Sequence, residues 1–308
     1  METQKNNCMG EFFSSDNGLY ILGREEFTDD KLNFANFSVY ETNGSCEQRA
    51  KRACLHAHLA AAARADNPAD CNGVVDLKKC STFIAPFTIG GRRAAISNSG
   101  KYAATAAYER KGISLMDCRT GNQLWNTKAV KKVQGVNFSK EEKYVIASNE
   151  DEPAHTYYID ILTGEIVKRI VAARVLANPY GEDIVFWHRD TVLIGGKKIK
   201  SPTFAYVTAC GTPFGIVVSP VNHFPRMYDY DGSLMWKSVT NKDHILAFAY
   251  NEEKQIIFGK ARDGIVAMNP QNGEIIESYD EYIGGAVFIN RANEILFTTG
   301  DVMGLFAL

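Results

Sequence analysis

From residue 92 to the end of the chain, short apolar runs alternate with polar turns at a nearly constant spacing. "AISNSGKYAATA" from Ala95 overlays on "NFSKEEKYVIAS" from Asn137, with Ile96/Phe138, Ser97/Ser139, Lys101/Lys143 and Tyr102/Tyr144 each 42 residues apart. "AYNEEKQIIF" (Ala249 to Phe258) and "FINRANEILF" (Phe288 to Phe297) repeat the shape. Each reads as an apolar strand, a tight polar turn and a second apolar strand. A loop and a third strand follow. Then, in four places, an acid or Asn precedes a Gly by three or four residues: Asp117/Gly121, Asp160/Gly164, Asp229/Gly232 and Asn269/Gly273. A fourth strand begins just beyond.

Four short strands in a period of about 40 residues predict an all-β fold built as a β-propeller, in which each four-stranded blade buries its faces against its neighbours. The acid is expected to accept hydrogen bonds from the turn's backbone, and Gly to supply a positive φ. The positions two and three beyond Gly (Leu124, Ile166, Val167, Leu234, Met235, Ile275, Ile276) are expected to face the next blade, with Trp125 and Trp236 packing between blades.

Six units are countable after residue 85: about 92–127, 128–170, 171–201, 202–238, 239–280 and 281–308. The third is short and ends at Gly195-Gly196. The sixth has three strands. "GLYILGREEF" (Gly18 to Phe27) and "NFSVYE" (Asn36 to Glu41) are candidates to close it, and a seventh blade built from the first 85 residues is the alternative. The expected division is therefore 1–85, an N-terminal segment with closing strands and a helix, and 86–308, the propeller of six or seven blades. The helix is read over residues 46–65, Ala-rich and without Gly or Pro, as an N-terminal helical insertion. Ser45 with Gln48 fits a capping box, and "DNPAD" stops the helix.

The repeats resemble the WD-repeat and quinoprotein-like propellers. "MDCRTGNQLW" (Met116 to Trp125) is similar to the tryptophan-docking repeat of the quinoprotein group through Asp117, Thr120, Gly121 and Trp125. Asp160, Thr163 and Gly164 match, but Lys168 stands where the tryptophan falls. Asp229, Gly232 and Trp236 match with one residue deleted, and Asn269 and Gly273 match loosely. The resemblance implies an architecture and no particular activity.

Composition narrows the function classes. Apolar residues make up 45% of the 308 and the formal net charge is −2, so no basic stripe points to nucleic acid. No apolar run reaches the roughly 20 residues of a membrane span. "METQKNNCMG" lacks a signal-peptide core, which points to a cytoplasmic location. A periplasmic or secreted location is the alternative, if an upstream signal was removed and the Cys46–Cys80 region is disulfide-bonded. Cys46, Cys54, Cys71 and Cys80 are the disulfide candidates, as nested pairs that would staple the helix to the following segment. Cys118 and Cys210 read as packing residues. Cys54 and His58 share a helix face, but no C-x-x-C or H-x-x-x-H pair is present, so no metal site and no cofactor is expected. Nucleophile elbows and phosphate loops are missing as well.

What remains is a rim of second-to-third-strand loops. They offer Arg110; Glu150, Asp151, Glu152 and His155; Trp187, His188 and Arg189; His223 and Phe224; and Arg262. Trp, Phe and Arg are common anchors of protein interfaces, and an acidic loop steers a basic partner. The expected function is a non-enzymatic propeller binding another protein, as a scaffold or a stoichiometric inhibitor such as a toxin-neutralising immunity protein. The alternatives are a hydrolase or lyase with its site in the central funnel, and a carbohydrate or small-ligand binder.

Overall fold

A computed structural model of the chain describes residues 11–15, 19–25, 34–41, 78–88, 93–108, 111–239, 245–262, 264–279, 285–289, 294–299 and 302–307. Among the described residues there is no helix, and the strands form seven antiparallel sheets. The helix expected over residues 46–65 lies outside them, as do Cys46, Cys54 and Cys71.

The first sheet holds β1 (Glu11–Ser14), β2 (Tyr20–Glu25), β3 (Phe34–Glu41) and β4 (Lys78–Pro86). The second holds β5 (Ala94–Ile96), β6 (Tyr102–Ala107), β7 (Gly112–Asp117) and β8 (Gln123–Thr127). The third holds β9 (Val133–Phe138), β10 (Tyr144–Asn149), β11 (His155–Asp160) and β12 (Ile166–Val171). The fourth holds β13 (Arg174–Leu176), β14 (Ile184–His188), β15 (Thr191–Ile194) and β16 (Lys197–Lys200). The fifth holds β17 (Tyr206–Thr212), β18 (Gly215–Pro220), β19 (Arg226–Tyr228) and β20 (Leu234–Lys237). The sixth holds β21 (Leu246–Asn251), β22 (Ile256–Lys260), β23 (Ile265–Met268) and β24 (Ile275–Tyr279). The seventh has three strands, β25 (Gly285–Ile289), β26 (Glu294–Thr299) and β27 (Val302–Ala307). Strands are adjacent in chain order in every sheet, which is consistent with the blades of a β-propeller.

The segments offered as closing strands for the last unit instead pair with each other, Tyr20 opposite Glu41 and Arg24 opposite Phe37, in the first sheet. A turn of the same chemistry opens three sheets. The Tyr20, Tyr102 and Tyr144 N–H groups donate to Ser15, Ser97 and Ser139 Oγ, each at 3.1 Å. The serine hydroxyl replaces a backbone acceptor and fixes the hairpin. Its sequence trace is Ser and Tyr five residues apart, a sign that the N-terminal segment belongs to the repeat.

The third-to-fourth-strand turns follow the expected chemistry. Asp117 Oδ1 accepts from Arg119 N (2.9 Å) and Thr120 N (2.8 Å), and Asp160 Oδ1 accepts from Leu162 N and Thr163 N, both at 2.9 Å. Asn269 Oδ1 accepts from Gln271 N at 2.8 Å. Gly121, Gly164 and Gly273 each hold φ 73° and Gly232 φ 82°. There is a second reason for Gly: the preceding sheet packs on the turn. A Cβ on Gly273 would sit 2.5 Å from the Trp236 ring, and one on Gly121 2.8 Å from the Thr82 carbonyl oxygen.

The inward-facing positions on the fourth strands need correction. In four sheets the ladder between third and fourth strands skips one residue, three beyond the turn Gly: Leu124, Val167, Met235 and Ile276. Each skipped residue is a β-bulge, and it shifts the parity of the strand. The position four beyond Gly then opposes the third strand, as Trp125 opposes Leu115 and Trp236 opposes Met227. Met235 is 47% exposed and Trp236 7%. Leu124, Ile166, Val167, Leu234 and Ile276 are exposed too, so they do not form the contact between sheets. Cys80 is the skipped residue of the first sheet, between Lys79 and Ser81, and lies exposed.

The chain forms two compact units, Met1–Val136 with Gly284–Leu308, and Asn137–Ile283. In the first, β1 lies against both β25 and β5. Leu22, Phe37, Phe83 and Phe87 pack with Ile96, Ala103 and Met116, and Cys118 is buried there as expected. In the second, β13 lies against β10 and β11, and β21 against β17 and β18. Ile184, Phe186 and Val192 pack with Ile216, Val218 and Tyr228, and Val217, Met227 and Trp236 with Ile257, Val266 and Met268. Burying one such side chain is worth about 1.5–3 kcal/mol. Side-chain-to-backbone bonds stitch consecutive sheets in register: Asn137 Nδ2 to Val175 O (2.8 Å), Arg174 Nη2 to Val207 O (3.0 Å), and Ala247 N to Ser219 Oγ (2.9 Å).

Candidate functional site

The rim loops each join a second strand to a third, at the end of the sheet opposite the Asp–Gly turns. Arg110 lies outside the described residues. The others fall in the second unit, and the structure holds several of them firmly.

Between β10 and β11, the buried Asn149 braces its loop from both ends. Its Oδ1 accepts the His155 N–H at 2.8 Å and its Nδ2 donates to Asp151 Oδ2 at 2.6 Å. Glu150 Oε1 reaches the next sheet and pairs with Arg189 Nη2 at 3.4 Å. With Arg189 79% exposed, that pair contributes about 0.2–1 kcal/mol; its effect is to register two loops. Glu152 remains exposed. The acidic loop is thus partly neutralised from within, which the sequence did not reveal.

His155 Nε2 lies 2.9 Å from Arg169 Nη2. Guanidinium can only donate, so Nε2 accepts and the ring proton sits on Nδ1. That Nδ1 is sealed from solvent without a partner. Arg169 also lies over the Tyr157 ring, 5.6 Å from its centre.

Trp187 is the penultimate residue of β14, beside His188 with ring centres 4.7 Å apart, and the Lys198 ammonium lies 3.0 Å above the indole. This cation–π contact fixes the indole's face and its charge environment. Asp190 accepts from Thr191 Oγ1 at 2.9 Å and pairs with Lys200 at 3.8 Å. Between β18 and β19, the Phe224 N–H donates to His223 Nδ1 at 2.8 Å. Burial, then Lys237, then Arg226 push the His223 imidazole below its ordinary pKa. Arg262 is exposed in the 261–264 turn, closed by Ala261 N to Gly264 O at 2.9 Å.

The structure therefore brings Glu150 and Arg189 together, and His223 near Arg226 and Lys237. Sequence reading missed Arg169, Lys198, Arg226 and Lys237, all on strands rather than loops. It also missed an aromatic cluster at the opposite end. Tyr180 meets Tyr250 edge-on at 5.9 Å, and Phe214 meets Tyr250 at 6.5 Å. Burial and a hydrogen bond with Glu252 push the Tyr180 hydroxyl far above its ordinary pKa, which marks a packed cluster. Among the described residues, no group of three or more His, Cys, Asp and Glu side chains is placed to hold a metal ion. Among them, too, no helix is long and apolar enough to cross a membrane.

Repeated four-stranded antiparallel sheets among the described residues are consistent with a blade-built β-propeller. No protein-family model matches the chain, and no curated protein matches its sequence.

Proposed function

We propose that the chain is a β-propeller of the quinoprotein-like kind that acts without catalysis, binding another protein through its second-to-third-strand rim. The observation that carries this reading is the pair of loops locked by Asn149 and by the Glu150–Arg189 contact, with Trp187 and His188 held beside them. A surface ordered before binding loses less conformational entropy on association, and Trp and Arg anchors deliver most of an interface's energy. The partner is gripped as by a scaffold or a stoichiometric inhibitor. Glu152, the unpaired acid of the loop, favours a basic contact.

The test compares proteins captured by the wild type, by Trp187→Ala, by Glu152→Lys, and by Leu234→Glu at the opposite end, with folding checked by circular dichroism. A specific partner should fall at least tenfold with the two rim variants and persist with Leu234→Glu. A captured set that is the same for all four proteins removes the rim from the proposal.

A further inference from the structure

Arg226 opens β19, one residue past the 221–225 turn, and its register partner in β20 is Lys237. Directly opposed residues of an antiparallel pair share a face, with Cβ atoms about 5 Å apart, so two cations placed there repel. The bulge at Met235 creates this juxtaposition, because without it Arg226 would face Trp236. Among the described residues, neither cation forms an ion pair. The Arg226 Nε is sealed from solvent and has no hydrogen-bond partner.

Two further donors border them. His223 spends its Nδ1 accepting the Phe224 N–H, which leaves Nε2 to carry the proton. Burial first, and then the charges of Lys237 and Arg226, hold its pKa below the ordinary imidazole value. Tyr206, the first residue of β17, is 6% exposed, and its hydroxyl has no partner in hydrogen-bonding geometry. Burial first, then the neighbouring Tyr228, push its hydroxyl well above the ordinary phenol pKa, while the Arg226 charge pulls it back down. Asp190 is the acid of this neighbourhood, and its oxygens are engaged by Thr191 and Lys200. The site thus offers a guanidinium, an ammonium, an imidazole N–H and a phenol, and among the described residues neither cation meets a carboxylate. A buried donor left unpaired is unfavourable, and like charges set side by side add to that.

We propose that Arg226, Lys237, His223 and Tyr206 form a binding site for a phosphate-class oxyanion, either free or as the terminal group of a small phosphomonoester. A carboxylate has two oxygens and one charge, which the Arg226 fork would satisfy alone. A phosphate near neutral pH carries a charge approaching −2 and three strong acceptor oxygens, enough for both cations and the two neutral donors. The site is independent of whether the rim also grips a protein.

The experiment follows the His223 ring by proton–carbon NMR in low-salt buffer. Inorganic phosphate, glycerol 3-phosphate, and sodium chloride at matched ionic strength are each titrated into the wild type, Arg226→Gln, Lys237→Gln and Trp187→Ala. Lys237 is exposed, so Lys237→Gln keeps the test valid if Arg226→Gln misfolds. Saturable one-to-one binding by phosphate is expected, with the His223 titration moving up. It should weaken at least tenfold in Lys237→Gln and stay unchanged in Trp187→Ala. Tighter binding of glycerol 3-phosphate identifies an ester as the source; equal or weaker binding identifies the free ion. Absence of saturation, an equal response to chloride, or wild-type affinity in Lys237→Gln overturns the proposal.

Discussion

Asp117 shows how much one side chain fixes locally. Its carboxylate receives two backbone N–H groups, and the Thr120 bond is the largest cause holding its pKa below the ordinary carboxylate value. A folded-state pKa below the unfolded one, about 3.9, stabilises the fold above that pH. The contribution is lost as pH falls through the folded-state value. Asp117→Asn keeps the acceptor oxygen and removes the charge. In urea titrations the variant should be less stable than wild type at pH 7, by only about a few tenths of a kcal/mol because the turn is exposed and solvent screens the charge, and the gap should shrink by pH 3. Parallel losses on acidification would show that the carboxylate charge contributes nothing. This turn was legible in the sequence because its acceptor, donors and Gly lie within five residues of one another.

At the scale of the element, the fourth strand is where reading the sequence went astray, and the reason is physical. Period-two alternation assigns faces only when the strand is unbroken. A bulge three residues past Gly leaves no residue-type signature: the skipped residues are Leu124, Val167, Met235 and Ile276, all apolar. The same slip hid the phosphate-site candidate, since Arg226 and Lys237 meet only across it. Trp236 shows the consequence: its ring covers Gly273, and its Nε1–H donates to Pro270 O at 2.8 Å. Trp236→Ala should cost about 3–5 kcal/mol in chemical denaturation, while Met235→Ala should stay within about 0.5 kcal/mol. The reverse order would restore the unbulged register.

At the scale of the whole molecule, the second to fifth sheets share a gradient of burial. The second strands β6, β10 and β18 are buried almost throughout, whereas β8, β12 and β16 are exposed almost throughout. The second strands pair on both sides; the fourth strands have one ladder neighbour and an open edge. Their apolar side chains face outward there, and the bulge that turns them out also twists the edge, which discourages pairing with another chain. Local opening should therefore begin at the fourth strands in both compact units, because little apolar burial and half the hydrogen bonds oppose it. Hydrogen–deuterium exchange read by mass spectrometry checks this. Peptides covering β8, β12 and β16 should exchange at least tenfold faster than those covering β6, β10 and β18, and β20 should fall between them because Trp236 and its bond to Pro270 anchor it. Uniform protection across each sheet would mean that the sheets open as whole units, and the edge strand would lose its place as the first point of opening.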